Sequence, residues 1–402
     1  MLALALLVPA QGAAKPLDKV IPRLFGGTLN TTIDQSFSAV SQQQPSVIRR
    51  FRDLSAQLAA ARSQVPLPSS SGAFSFAWDP EVDTFVRFEQ SLGSIFAERA
   101  QTLGRGRFNI GMSYQRVEFS TLEGDSLSNI RSTQRAFTQA YLDNLPPDDQ
   151  VIFGDDIVQT KLDMSFNFDL FYVSAAYGLT DNLDASLGLA VNRATMKGRA
   201  LAMTVDPDGD GAGTFVANFT ANQRGVITNG TGAVCGFPFR CAEDSFDESA
   251  TGTGDIFVRL KWHADDFRYA DLALAGVLTI PTGNADDFLG FHDPTFTPWL
   301  IASKNFGRFS PHVNLGYAIR SDEDVRQAQW IAGADFLGTR WLTLSADFLG
   351  YHDDIDDVIQ SAIGFKLNPW GGLVLNAGFQ FPVNRDGLRA DVIYTGQIEY
   401  NF

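Results

Sequence analysis

From about Arg105 to the C-terminus, apolar and polar positions alternate one by one, the signature of β-strands whose two faces meet different surroundings. In RFNIGMSYQ, Phe108, Ile110, Met112 and Tyr114 share one face, and Asn109, Gly111, Ser113 and Gln115 share the other. KLDMSFNFDLF sets Leu162, Met164, Phe166, Phe168 and Leu170 against Asp163, Ser165, Asn167 and Asp169. Leu183, Ala185, Leu187, Leu189 and Val191 alternate with Asp184, Ser186 and Asn192, and Ile256, Val258, Leu260 and Trp262 oppose Arg259, Lys261 and His263. The pattern returns through DLALAGVLTIP, TFTPWLIAS, PHVNLGYAIR, AQWIAGADF, WLTLSADFLG, VIQSAIGFKL, LVLNAGFQF and the closing DVIYTGQIEYNF, where Val392, Tyr394, Ile398, Tyr400 and Phe402 form the apolar face.

A carboxylate cannot face lipid, so the second face requires a polar interior. The segments therefore predict an all-β, transmembrane antiparallel β-barrel of about twelve strands, with about fourteen also allowed. The connections agree. One end carries long links, roughly residues 121–157 and 196–254, together with PTGNADDFLGFHD, SDEDV, YHDDID and VNRDG; the other carries the brief LTDN, NFGR, LGTR and NPWGG. Long outer loops and short periplasmic turns are the habit of such barrels. Tyr177, Trp262, Trp341, Trp370, Tyr400 and Phe402 fall near the short turns, where amphipathic rings favour the headgroup level.

Composition leaves this picture standing and removes others. The chain has 402 residues, 19% of them charged, with 33 Phe. Its mean hydropathy of -0.05 is that of a chain in which only alternate strand residues are apolar. No stretch approaches the roughly 18 apolar residues of a membrane-spanning helix. The net charge of -15 argues against nucleic acid as a partner, since that requires a basic footprint. MLALALLVPAQGAAK reads as a partial signal peptide over residues 1–14, with small residues at Gly12, Ala13 and Ala14 and without a basic start. Export brings oxidising conditions, so Cys235 and Cys241 in CGFPFRC are expected to form a loop disulfide.

Candidate chemistry is sparse. DPDGDG places Asp206, Asp208 and Asp210 at the alternate positions of a calcium loop, but Ala217 stands where a bidentate Glu is needed. A weak outer-loop calcium site and a plain acidic turn both remain open, and no other cofactor is expected. His352, Asp353 and Asp354 sit in an outer loop, where neighbours on an extended chain point to opposite faces. A solvated acidic loop is the better reading. No GxSxG, HExxH, Walker or Rossmann pattern stands in its working context, so the chain is not expected to be an enzyme.

Residues 15–103 break the alternation. SVIRRFRDLSAQLAAARS puts Val47, Phe51, Leu54 and Leu58 at helical spacing, and AFSFAWDPEVDTFVRFEQ predicts a hairpin around Asp79-Pro80. The segment VPLPSSSGAFSFAWDPEVDTFVRFEQSLGSIFAERAQTLGRGRFNIGMSYQRVEFSTLEGDSL, with YGLTDNLDASLGLAV, GTGDIFVRLKW and LTIPTGNADDFLG, resembles the outer-membrane transporters grouped as "MetA-pathway of phenol degradation", related to the FadL and TodX porins. That resemblance implies passive uptake of small hydrophobic compounds, aromatic hydrocarbons or fatty-acid-like molecules, through a barrel obstructed by an N-terminal hatch. The chain lacks the Asn-Pro-Ala motif of FadL hatches.

The expected organisation is a signal remnant at 1–14, a partly helical hatch at 15–103 and a barrel at 104–402 in the bacterial outer membrane. Alternation assigns to the lumen Asp163, Asn167 and Asp169, then Arg259 and Lys261, then His312, Asn314 and Arg320. It adds Asp335, Asp347, Lys366, Gln397 and Glu399. Phe74, Phe76, Trp78, Phe85 and Phe88 are expected to give the hatch an apolar ligand contact. The expected partners are outer-membrane lipid, a hydrophobic small molecule and, through the C-terminal strand, the barrel-assembly machinery. A non-transporting barrel whose acidic outer loops serve structure or surface recognition is the alternative.

Overall fold

The computed structural model describes residues 16–21, 31–33, 76–79, 84–87, 92, 95–135, 139–148, 150, 157–205, 217–219, 226–228, 241–264, 269–320, 326–352 and 357–402. Twelve strands form one closed antiparallel barrel. They are β1 Phe108–Leu122, β2 Ile157–Thr180, β3 Leu183–Val205, β4 Cys241–His263, β5 Asp271–Ile280 and β6 Thr295–Ser303. The circuit continues through β7 Phe309–Arg320, β8 Arg326–Thr339, β9 Leu342–His352, β10 Asp357–Trp370, β11 Leu373–Pro382 and β12 Leu388–Asn401. β12 pairs with β1, and β1 pairs onward with β2, so the circuit has no free edge. Closure is obligatory here, because a bilayer offers no water to an unpaired N–H or C=O.

Each strand alternates as its sequence dictates. Leu187, Leu260, Leu274, Leu315 and Ile398 point outward and are exposed, while Lys261, Asp335, Lys366 and Glu399 point inward and are buried. An outer face of Leu, Ile, Val, Phe and Tyr around the whole circuit belongs in lipid, and the closed barrel places the protein in a bacterial outer membrane. Tyr177, Trp262, Trp341, Trp370, Tyr400 and Phe402 are all exposed at the end with the short turns. Among the described residues no helix is long and apolar enough to cross a membrane.

The strands differ sharply in length. β2, β3 and β4 run for 24, 23 and 23 residues, whereas β5 and β6 have 10 and 9. A bilayer requires only about 9–11 residues of a tilted strand. The upper halves of β2–β4 therefore rise as a wall beyond the membrane, and there the sense of the two faces reverses. Phe171 and Val173 of β2 face lipid, yet Leu162, Met164, Phe166, Phe168 and Leu170 are buried on the inner side.

This corrects three lumen assignments. Asp163, Asn167 and Asp169 share the outward face of Phe171 and Val173, and they meet water above the lipid. Asp169 accepts from the Tyr114 hydroxyl at 2.6 Å and from Arg116 Nη1 at 3.3 Å. The phase change is written in the continuous run Leu170-Phe171-Tyr172-Val173, where apolar residues occupy both faces for two steps.

The inner side of the wall is a second apolar core outside the membrane. Phe166 stacks on Phe119 with centroids 5.3 Å apart and meets the edge of Phe288 at 5.8 Å. Leu17, Val20 and Ile21, from a short N-terminal turn, are buried in the same cluster. Of the expected hatch, only 16–21, 31–33, 76–79, 84–87, 92 and 95–103 are described. Strands Phe76–Asp79 and Thr84–Arg87 pair as the hairpin expected around Asp79-Pro80. The helix expected over residues 46–63 lies outside the described residues, as do Phe74, Phe88, Cys235 and the candidate calcium ligands Asp206, Asp208 and Asp210. For Phe76, Trp78, Phe85 and Cys241 only the backbone is described.

The placement of the bilayer is testable on one face of two adjoining strands. Leu187→Arg, in the lipid band of β3, is expected to destabilise the barrel by about 2–4 kcal/mol, whereas Asn167→Arg, on the outward face of β2 above it, is expected to cost about 0–1 kcal/mol. Equilibrium unfolding in lipid vesicles checks both values. Equal penalties would remove the raised wall.

Candidate functional site

The lower lumen is occupied by Leu92 and by residues 95–103, which are non-helical and lie inside the barrel. Leu92 N–H donates to Thr343 Oγ1 at 2.9 Å near the periplasmic turn of β8–β9, and Ile95 and Phe96 stand higher in the lumen. The chain then descends: Ala100 N–H donates to Ser303 Oγ at 3.0 Å, and Leu103 N–H to Asp184 Oδ2 at 2.9 Å. The loop thus enters and leaves at the periplasmic end, with its apex packed on Ile331, Leu349, Tyr351, Val358 and Ala362. The described part of the expected hatch is non-helical here, and Leu92, Glu98, Arg99, Ala100, Gln101, Thr102 and Leu103 each bond to a residue of the wall or its turns.

Charge makes that match specific. Glu98 takes two hydrogen bonds from the Arg259 guanidinium, and Arg99 donates from Nη2 to Asp335 Oδ2 at 3.0 Å. The Lys261 ammonium donates to the carbonyls of Gln101 at 2.6 Å and Arg99 at 3.3 Å, and Gln101 Nε2 donates to Asp271 Oδ2 at 2.9 Å. Lys261 and Asp335 are both fully buried. A buried ion left without its partner costs several kcal/mol, so the wall and the loop are each unfavourable without the other.

The remaining inward residues fall into two further groups. His312 Nε2 lies 2.6 Å from Asp347 Oδ1, beside Asp335. Lys366 donates to Glu399 Oε1 at 3.4 Å, which also accepts from Asn376 Nδ2 at 2.6 Å, and the same amide reaches Gln397 Oε1 at 3.1 Å. Asn314 and Arg320 stand higher, where Arg320 lies over the Phe291 ring with Cζ 4.9 Å from the centroid. Sequence reasoning missed Glu98, Arg99, Asp184, Asp255 and Asp271. Glu98-Arg99 was a pair of opposite charges in an otherwise small and apolar stretch, and Asp184 lay in the polar phase of its strand.

Above the loop is a cavity of about 130 Å³. Phe168, Leu170, Tyr172, Phe257, Phe291 and Trp299 supply its apolar side, and Asn192, Thr295, Thr297, Gln327, Gln329 and Arg320 its polar side. Phe96 and Glu98 contribute from the loop below. Asp255 builds the roof: its Oδ1 accepts from Gly283 N–H at 3.1 Å and its Oδ2 from Phe291 N–H at 2.9 Å, drawing the β5–β6 connection over the mouth. Thr282 Oγ1 donates to Gly254 O at 2.8 Å. A Cβ on Gly290 would lie 2.5 Å from Gly283 Cα and 2.6 Å from Asp255 Oδ1, so only glycine permits the two ends of that connection to touch.

The N-terminal turn covers the same connection, with Leu17 N–H donating to Asp287 Oδ1 at 3.1 Å. Burial pushes the Asp287 carboxyl above its usual range, and Asp286 and Asp18 add to the shift against the bond from Leu17. Among the described residues no group of three or more His, Cys, Asp or Glu is placed to hold a metal ion.

No protein-family model and no curated protein matches the chain. Solved structures do. An outer-membrane channel from Pseudomonas putida F1 is 12% identical, with 75% of this chain and 98% of that one covered at a TM-score of 0.43. A Pseudomonas aeruginosa FadL homologue is 11% identical over 84% and 99%, at 0.35. The Ralstonia pickettii toluene transporter TbuX is 12% identical over 74% and 89%, at 0.33. Overlaps this loose equate no residue of this chain with a residue of those.

Two measurements test the closures. Arg259→Met leaves Glu98 buried without its guanidinium, and a loss of about 3–5 kcal/mol is expected in unfolding experiments; the double variant with Glu98→Gln is expected to recover part of it. At the mouth, a carboxyl with a raised folded-state pKa favours folding at low pH and loses that contribution as pH rises through its folded value. The amide protection factor of Leu17, corrected for intrinsic exchange, is therefore expected to be higher at about pH 4 than at about pH 7. In Asp287→Asn the difference is expected to vanish.

Proposed function

We propose that the protein is a passive outer-membrane channel for the uptake of small, predominantly apolar molecules. The observation that carries this reading is the cavity at the heart of the barrel. Its apolar wall of Phe168, Leu170, Phe257 and Phe291 lies between a roof at the outer mouth and a loop inserted from the periplasm. An apolar cavity of about 150 Å³ in another protein holds benzene, and this one has about 130 Å³, a size that suits one ring with a short arm.

A purely structural barrel has no need of such a space, because interiors close-pack wherever nothing is to be bound. The two closures also differ in kind. The loop at 95–103 is tied by buried ions, whereas the cap at 16–21 buries Leu17, Val20 and Ile21 and gives Asp287 a backbone bond from Leu17. Burying Leu17, Val20 and Ile21 contributes about 1.5–3 kcal/mol each, and ordering six residues costs about 1–2 kcal/mol each. These nearly cancel. The outer cap is thus the side that yields to an arriving molecule, and the inserted loop is the last barrier to the periplasm.

A barrel closed for good is the second reading, and the occupied lower lumen favours it. Uptake of radiolabelled toluene by cells expressing the chain separates the two. The wild type is expected to exceed an empty vector severalfold, and Ala318→Trp, which fills the cavity from β7, is expected to return uptake to background with the barrel still assembled. Wild-type uptake equal to the vector control would leave the closed barrel as the reading.

A further inference from the structure

We propose that the outward face of the raised wall is a docking surface for the phosphorylated sugar headgroups of glycolipid in the outer leaflet of the membrane. The proposal is independent of the uptake reading. Along β2, β3 and β4 the outward positions within 161–169, 193–199 and 245–253 carry no apolar side chain. They begin where the lipid-facing residues stop: Arg193 lies opposite Asp169, one outward position above Phe171. Ser165, Thr195, Ser249 and Thr251 follow as a field of hydroxyls, with Lys197, Arg199 and Lys161 rising among them. From Phe171 to Lys161 the wall climbs about 25 Å, taking about 3.3 Å per residue on a strand tilted by roughly 40°.

The cations identify the partner. The strand Ile130–Arg135 pairs with β2 and sets Arg131 directly opposite Lys161, both exposed. Like charges in that position are destabilising. Among the described residues no carboxylate relieves them: Arg131 Nε donates to Asn129 Oδ1 at 3.1 Å, and Lys161 has no partner. Arg193 has none either, because Asp169 opposite it is engaged by Tyr114 and Arg116. The other acids of this face have cations of their own, with Asp247 accepting from Lys197 at 2.9 Å and Asp163 standing opposite Arg199. Arg131, Lys161 and Arg193 are thus left facing outward on a chain whose net charge is -15.

Phosphate oxygens satisfy such cations through charge-assisted hydrogen bonds, bidentate where the cation is arginine. The source of the phosphate follows from position. The face is continuous with the lipid band beneath it, so a lipid whose acyl chains lie on Phe171 and Leu189 brings its headgroup to Arg193. A glycerophospholipid ends at that step. A headgroup extended by further sugars continues along the hydroxyl field, and phosphates on those sugars reach the pair of Arg131 and Lys161.

Surface plasmon resonance on the immobilised full chain in detergent tests this with three lipids: lipopolysaccharide bearing a phosphorylated core, the same lipopolysaccharide after enzymatic removal of its phosphates, and phosphatidylglycerol. The intact lipopolysaccharide is expected to bind about tenfold tighter than either of the others. In the double variant Arg131→Glu with Lys161→Glu its affinity is expected to fall about tenfold, while phosphatidylglycerol binding and heat-modifiable migration report that the barrel has formed. Equal affinity of the wild type for the intact form and either control would overturn the proposal, whether or not the variant assembles. An assembled variant that binds the intact form as the wild type does would overturn it as well.

Discussion

The contact between Glu98 and Arg259 joins positions 161 apart in the chain, and the occupied lumen depends on it. Inward alternation on a closed sheet forces polar side chains together in a space with little water, and Arg259, Lys261 and Asp335 are too deeply buried to be left to solvent. Counter-charges must come from within. The short segment at 95–103 supplies them, as one carboxylate, one guanidinium and two carbonyls, each offered to a wall residue of the opposite character. A segment of alanines would fill the same volume and leave the wall ions stranded.

From that anchoring the rest of the interior follows. The apex of the loop, Ile95 and Phe96, is pressed against the apolar patch of β8–β10, which makes it the floor of the cavity. The roof is set from the opposite end by one carboxylate, Asp255, acting on two backbone amides of the β5–β6 connection. Charge holds the bottom and a carboxylate–amide clasp holds the top, so the apolar space between them persists without side chains of its own to prop it open.

Much of the barrel was legible in the chain because a sheet with lipid outside and polar groups inside imposes a strict period of two. The strands of β5–β12, the short turns and the inward course of Lys261, His312, Asp335 and Lys366 all follow from that rule. It misled where its premise failed. Above the bilayer the outside is water, so Asp163, Asn167 and Asp169 belong outside and Phe166 and Phe168 inside, and alternation alone does not say which medium a strand is in. The site was less legible than the wall. Glu98 has no periodicity to mark it, and Asp255 shares the inward phase of Arg259 and Lys261 without a local sign of its role; those roles arise from partners 161 and 28 or more residues away, and separation of that kind leaves no local pattern.

The pairing of β12 with β1 sets Asn401 opposite Asn109, and at the rim Phe402 N–H donates to Phe108 O at 2.8 Å while their rings sit 5.8 Å apart. No other pair of neighbouring barrel strands is so distant in sequence, and pairing across such a separation is slow. Until they do, the growing sheet carries two open edges, each a template for any other extended chain. The finished barrel is protected from such pairing by its own closure. The vulnerable species is its precursor, for as long as that one seam is unzipped.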